Sequence, residues 1–199
     1  MAIIPAAMAR DQTPARWGLT PPRSHLLGPF LLALVAPVAA SGCDDEEAPI
    51  AELDGYEVRV PEGWTASPSV DGPRRILTLR DGDRAVFCQI VVLRDGRVFH
   101  EDDAQAFVGD GKAAFEVAAE RPATLDTPEG PLLGFATREA DLPSSWILST
   151  LAGEPMLEMY AGSRGRRLVA AIAATFSGVP GAEDRLGRCR EAIATMAVP

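Results

Sequence analysis

The chain has 199 residues, with 19 Lys and Arg against 28 Asp and Glu, for a net charge of −9 at pH 7. Hydrophobic residues make up 47% of it, enough for a packed core, and of its 2 histidines only His100 lies beyond the first 42 residues, where one copy cannot build a multi-histidine metal site. An acidic surface of this kind repels nucleic acid, whose binding depends on neutralising phosphates.

The first 42 residues divide into three parts. Arg10, Arg16 and Arg23 stand in the opening stretch with a single acid, Asp11. An apolar run from Leu26 to Ala40 follows, and small residues lead into Cys43. Positive, then apolar, then small is the order that the export machinery reads. The apolar run is 15 residues long and contains Gly28, Pro29 and Pro37. A membrane-spanning helix needs about 20 apolar residues, so the run reads as a signal peptide. Met1 and Met8 are both candidate starts.

The terminal Ala40-Ser41-Gly42-Cys43 resembles the lipobox of bacterial lipoproteins, with Ala40 where that motif usually has Leu. The resemblance implies lipidation at Cys43: two fatty-acyl chains of the palmitate kind plus an amide-linked third, holding the chain at a membrane of the cell envelope. The alternative is ordinary cleavage after Ala40. A single acyl chain gives only marginal binding, at about 0.8 kcal/mol per buried methylene. Asp44-Asp45-Glu46-Glu47-Ala48-Pro49 is too acidic to pack, and residues 43–52 read as a solvated tether. A calcium loop would need a spaced glycine and a distal glutamate that this run lacks.

The remainder, 53–199, reads as one domain. The leader removes three arginines and one aspartate, so residues 44–199 hold 16 basic and 27 acidic residues, a net charge of −11. Tyr56–Val60 alternates with period two and reads as a strand ended by Pro61, with Gly63 permitting a turn and Trp64 plugging the core. Arg75–Leu79 is a second strand, and Asp81-Gly82 turns into a third containing Cys88. Residues 101–119 suit a helix, with Glu101, Asp102 and Asp103 at its positive dipole end. Gly111 lies on its apolar face, where it would allow close approach to a sheet. Four strands follow, at Leu132–Arg138, Trp146–Leu151, Met156–Ala161 and Arg167–Phe176. The run Ala170-Ala171-Ile172-Ala173-Ala174 leaves helix open in the last of them. Gly178-Val179-Pro180-Gly181 breaks the chain before a closing helix over 182–197. The fold class is therefore α+β.

Cys88 falls in the run Ala85–Leu93, apolar on both faces, and Cys189 falls on a helical stripe with Leu186, Ile193 and Met196. Both point to the same core. In an exported, oxidising compartment an even pair suggests a disulfide; the alternative is two buried thiols that never meet.

Val58-Arg59-Val60-Pro61-Glu62-Gly63-Trp64 resembles the opening of PsbP-like and DcrB-like domains, in which a strand leads through Pro-x-Gly-Trp into another strand. The resemblance implies a central antiparallel sheet flanked by helices, with a closing C-terminal helix, on an exported lipoprotein. It carries no catalytic residues with it.

Chemical motifs are sparse. Ala161-Gly162-Ser163-Arg164-Gly165 echoes the nucleophile elbow, but a strand follows and no histidine lies downstream, so a hairpin turn is expected. Gly109-Asp110-Gly111-Lys112 lacks the earlier glycine, the following Ser or Thr and the preceding strand of a phosphate loop. His100, the only histidine beyond the leader, reads as a solvated or capping residue at a helix start. Carboxylate pairs such as Glu154 with Glu158, or Asp126 with Glu129, are expected on so acidic a surface. No catalytic, metal-binding or cofactor-binding residue is assigned. The functional expectation is a membrane-anchored, non-catalytic domain that binds or supports another envelope protein, facing the periplasm or exterior. The alternative is a periplasmic hydrolase using acids in a cleft. No small-molecule ligand is identifiable from the residues.

Overall fold

The computed structural model describes residues 48–142 and 153–199. Cys43, Trp146 and the strand expected at Trp146–Leu151 lie outside the described residues. Within them the chain forms β1 (Ile50–Leu53), β2 (Tyr56–Arg59), β3 (Thr65–Asp71), β4 (Arg74–Arg80), β5 (Phe87–Leu93), α1 (Glu101–Ala114), β6 (Ala119–Thr127), β7 (Gly130–Glu139), β8 (Pro155–Arg164), β9 (Arg167–Phe176) and α2 (Ala182–Ala194). The class is α+β. Seven strands pair antiparallel in the order β3-β4-β5-β9-β8-β7-β6, while β1 and β2 form a separate hairpin.

Residues one apart on a strand face opposite ways, and this places the two helices. Cys88, Ile90 and Val92 of β5, and Met156 and Tyr160 of β8, share one buried cluster with Leu186, Cys189 and Ile193 of α2. The β1–β2 hairpin packs into the same cluster through Leu53, Tyr56 and Val58. Met159, on the opposite face of β8, lies against Gly111 of α1: a Cβ built there would run into the Met159 thioether. One helix therefore covers each face. Trp64 is buried in the α2-side cluster, and the Trp64 N–H donates to the Pro61 carbonyl at 3.0 Å to close the Pro-Glu-Gly-Trp turn.

β9 resolves the open choice at its alanines. Leu168 through Thr175 are all buried, between β5 on one side and β8 on the other. A strand covered on both faces carries no period of two, and its short side chains leave the neighbours close.

Three strands depart from the expectation. β1 takes Ile50, Ala51 and Glu52 out of the stretch read as tether, because Ile50–Leu53 pairs with Tyr56–Arg59 and the Val60 N–H reaches the Pro49 carbonyl at 2.7 Å. β3 and β6 are the two edges, each with a proline inside it, Pro68 and Pro122. Proline is tolerated at an edge, where it also blunts pairing with other chains. Both helices are shorter than expected. α1 stops at Ala114, with Glu116 at φ 49°, so that Ala119 can open β6. α2 stops at Ala194, and Ala197 exchanges backbone hydrogen bonds with Glu57, adding a third short segment to the β1–β2 hairpin.

Candidate functional site

At the end of the sheet where β4 turns into β5, the Pro61–Trp64 turn, the Asp81–Gly82 turn and the start of α2 surround a groove of about 400 Å³. Its chemistry-bearing walls are Glu62, Trp64, Asp81, Asp184, Arg185 and Arg188. A second hollow of about 300 Å³ lies on the other side of Gly181, against Arg138, Ser177 and Glu183.

The groove is built around Arg185. Its guanidinium bonds Asp81, reaches Asp83 Oδ2 at 3.0 Å, and donates through Nε to the Pro180 carbonyl at 3.1 Å. The bond to Asp83, with that to Asp81, holds the Arg185 pKa above its ordinary value. Asp81 is buried and also accepts from the Ala85 N–H at 2.9 Å and the Val86 N–H at 3.4 Å. Its two oxygens are therefore spent on closing the β4–β5 turn and fixing α2. A carboxylate so engaged is a structural tie, and the groove presents Arg188, Glu62 and Asp184 to whatever enters it.

A second ionisable cluster lies under α2. Glu158 is buried in β8, accepting from Arg190 Nη1 at 2.8 Å and from the Tyr160 hydroxyl at 3.0 Å. Burial first, then the neighbouring Glu158 carboxylate, pushes the Tyr160 phenol well above its ordinary range. A buried charge needs such partners to be tolerated at all.

The motif residues read from sequence fall elsewhere. Ser163 is the penultimate residue of β8, its Oγ donating to the Phe99 carbonyl at 2.7 Å, and Gly165 at φ 63° with Arg166 forms the two-residue turn into β9. The strand–turn–strand setting confirms a hairpin in place of a nucleophile elbow. Gly109–Lys112 is inside α1, with Lys112 paired to Glu120 at 2.5 Å. His100 is the exposed N-cap of α1; its backbone N–H donates to Asp103 Oδ2 at 2.7 Å. That bond, with the Arg97 guanidinium, holds the Asp103 carboxyl below its usual range. Of the carboxylate pairs named from sequence, Glu154 is exposed while Glu158 is buried and bonded to Arg190, and Asp126 and Glu129 are both exposed, with Glu129 accepting from the Val198 N–H at 3.3 Å. Cys88 and Cys189 are joined as a disulfide between β5 and α2, both sulfurs fully buried.

The Asp81–Arg185 tie and the Glu158–Tyr160–Arg190 cluster were not found by sequence reasoning. One signal was present for the second: Glu158 interrupts the apolar run Met156-Leu157-Glu158-Met159-Tyr160. Among the described residues, no group of three or more His, Cys, Asp or Glu is placed to hold a metal ion.

No protein-family model matches the chain, and no curated protein matches it. Among solved structures, the crystal structure of a protein from Bacteroides thetaiotaomicron VPI-5482 aligns over 77% of this chain and 49% of its own, with a TM-score of 0.49 and 11% identity. This chain thus spans about half the length of that structure. A likeness of this size identifies no function.

Proposed function

We propose that the chain is a cell-envelope lipoprotein, anchored through Cys43, whose PsbP-like or DcrB-like domain binds or supports another envelope component without catalysing a reaction. The observation that carries the reading is the disulfide joining β5 to α2 across the core. Such a bond persists in oxidising, exported compartments, where the leader ending in Cys43 would also send the chain. Among the described residues, no helix is long and apolar enough to cross a membrane.

The state of the buried acids supports the non-catalytic half of the reading. Asp81 is bonded to Arg185, and Glu158 to Arg190. The hydrolase reading draws on Glu62 and Asp184 in the groove, both exposed. Genetic complementation separates the two. With a binding role, Glu62→Gln and Asp184→Asn keep function, while Cys43→Ser loses it although the domain folds, because the tether sets local concentration near the partner. A folded Glu62→Gln or Asp184→Asn variant that is inactive, alongside a working Cys43→Ser protein, would point to an enzyme.

A further inference from the structure

α2 is the last element of the chain, and the sheet can lose it without breaking a strand ladder. The seven strands pair in the order β3-β4-β5-β9-β8-β7-β6, with no place in it taken by the helix. Among the described residues, no backbone hydrogen bond joins residues 182–194 to a strand. Its ionic ties are those of Arg185 to Asp81 and Asp83, Arg190 to Glu158, and Glu183 to Arg138. The last is exposed at both ends and stabilises little. The helix is also weak by itself. Its N-cap is Gly181 at φ 67°, no side chain caps it, and Gly187 lies inside it. A 13-residue helix of that kind is marginal when free in water. α2 is therefore kept helical by the packing of Leu186, Cys189, Ala192 and Ile193 in the core.

One covalent bond crosses this packing. Cys88–Cys189 joins β5 to α2 partway along the helix, with both residues fully buried. α2 also supplies one wall of the groove, Asp184, Arg185 and Arg188, while Glu62, Trp64 and Asp81 stand opposite on the two turns. The groove is complete only while α2 is docked. The disulfide is what keeps the helix from leaving the sheet alone.

We infer that the disulfide is a redox latch on the groove: in the dithiol form α2 opens from the sheet as a separate unit, and oxidation locks it down and completes the groove. Closing the latch takes a disulfide donor. One cysteine thiolate attacks the donor's disulfide to give a mixed disulfide, and the other then displaces the donor's second sulfur. Two protons leave the cysteines and two electrons pass to the donor, which ends as a dithiol. Both sulfurs are buried in the docked state, so this exchange takes place while α2 is open. Where the latch closes rests on the exported reading, since disulfides form in oxidising compartments. The separate opening of α2 does not depend on that reading.

Hydrogen exchange on the processed chain tests the latch. In the oxidised protein, amides of 186–193 should exchange no faster than those of 87–93 and 167–176. After reduction in urea and refolding with dithiothreitol, 186–193 should exchange about tenfold or more faster than those strands. Reoxidation with oxidised glutathione should restore the slow rate. Cys88→Ala, altered on the strand, should speed the helix in the same way without any reductant. Helix and strands speeding up together, or a helix that does not speed up, would overturn the latch. A reduced chain with no protection anywhere would also overturn it, since the bond would then be needed for the sheet itself. Thiol blocking in cells separates this from the exported reading. Oxidised cysteines in cells, with the exchange result negative, would overturn the latch and leave that reading standing. Free Cys88 and Cys189 in cells would overturn the closed latch and the exported reading together.

Discussion

Burying the Glu158 carboxylate in β8 is expensive, and its tolerance depends on two partners from elsewhere, Arg190 of α2 and the Tyr160 hydroxyl. Removing one partner leaves a charge in the core, which costs more than removing the whole group. Arg190→Ala should therefore lower stability by about 2–4 kcal/mol, below the usual upper range for buried pairs because water reaches the half-exposed Arg190. Replacing the set with Arg190→Met, Glu158→Met and Tyr160→Phe should recover part of that loss in urea unfolding. Equal losses would show that Glu158 is solvated without Arg190. The phenol of Tyr160 adds a pH signature. Its folded pKa stands above the ordinary value of 10, so the native state holds the proton more tightly than the unfolded chain. The stabilisation is complete below pH 10 and is lost as pH rises beyond it. Unfolding free energies measured from pH 8 upward should fall above pH 10, and Tyr160→Phe should flatten that fall.

At the level of elements, α2 is fastened to the sheet at three strands or turns: to β5 by the disulfide, to β8 by Arg190, and to the β4–β5 turn by Arg185. The disulfide closes a sequence separation of 101 residues. In the chain-entropy account such a closure contributes about 4–5 kcal/mol. Thiol titration of the unfolded, unreduced protein should find neither Cys88 nor Cys189 free. Cys88→Ala with Cys189→Ala should shift the denaturant midpoint down by up to that amount, and an unchanged midpoint would mean that the oxidised state gains nothing from the link. α1 depends on a different contact, since Met159 is approached from two sides. A Cβ on Gly111 would meet the flexible end of the Met159 side chain, whereas a Cβ on Gly134 would meet its backbone carbonyl. The thioether can move and the strand cannot. Gly111→Ala, which also gains about 1 kcal/mol of helix propensity, should be close to neutral, and Gly134→Ala should be strongly destabilising by thermal melting. The reverse order would place α1 further from β8 than its packing requires.

On the scale of the whole molecule, the groove beside α2 gathers Glu62, Asp81, Asp184, Arg185 and Arg188 at one end of the sheet. An anchor at Cys43, as proposed, would hold this groove near a partner in the same envelope layer. Labelling cells with a fatty-acid analogue should mark the unaltered protein and leave Cys43→Ser unmarked. Equal labelling of both would remove the anchor, and the partner would then have to be met by diffusion.

Sequence alone was sufficient where a residue's environment repeats along the chain. β2 followed from alternation, β5 from a run apolar on both faces that the Asp81-Gly82 turn leads into, and α2 from its apolar stripe, because repeated burial leaves a repeated pattern. Gly111 was legible as a close approach because glycine on an apolar helix face has few other uses. The edge strands were not legible. β3 is mostly exposed and carries Ser67, Pro68 and Ser69, so no buried face imposed a pattern on it. β6 is nearly as exposed, and β1 exists only because β2 and the Val60 N–H supply its partners. The ionic ties were hidden for a related reason. Asp81 meets Arg185 across 104 residues, and Glu158 meets Arg190 across 32. Such a pair has no local spacing to read, since the distance between its members is set by how the helix lies on the sheet. The net charge, the run of acids at 44–47 and the cysteine count are properties of the chain. Which acids are tied to arginines across the fold, as Asp81 and Glu158 are, is a property of the fold.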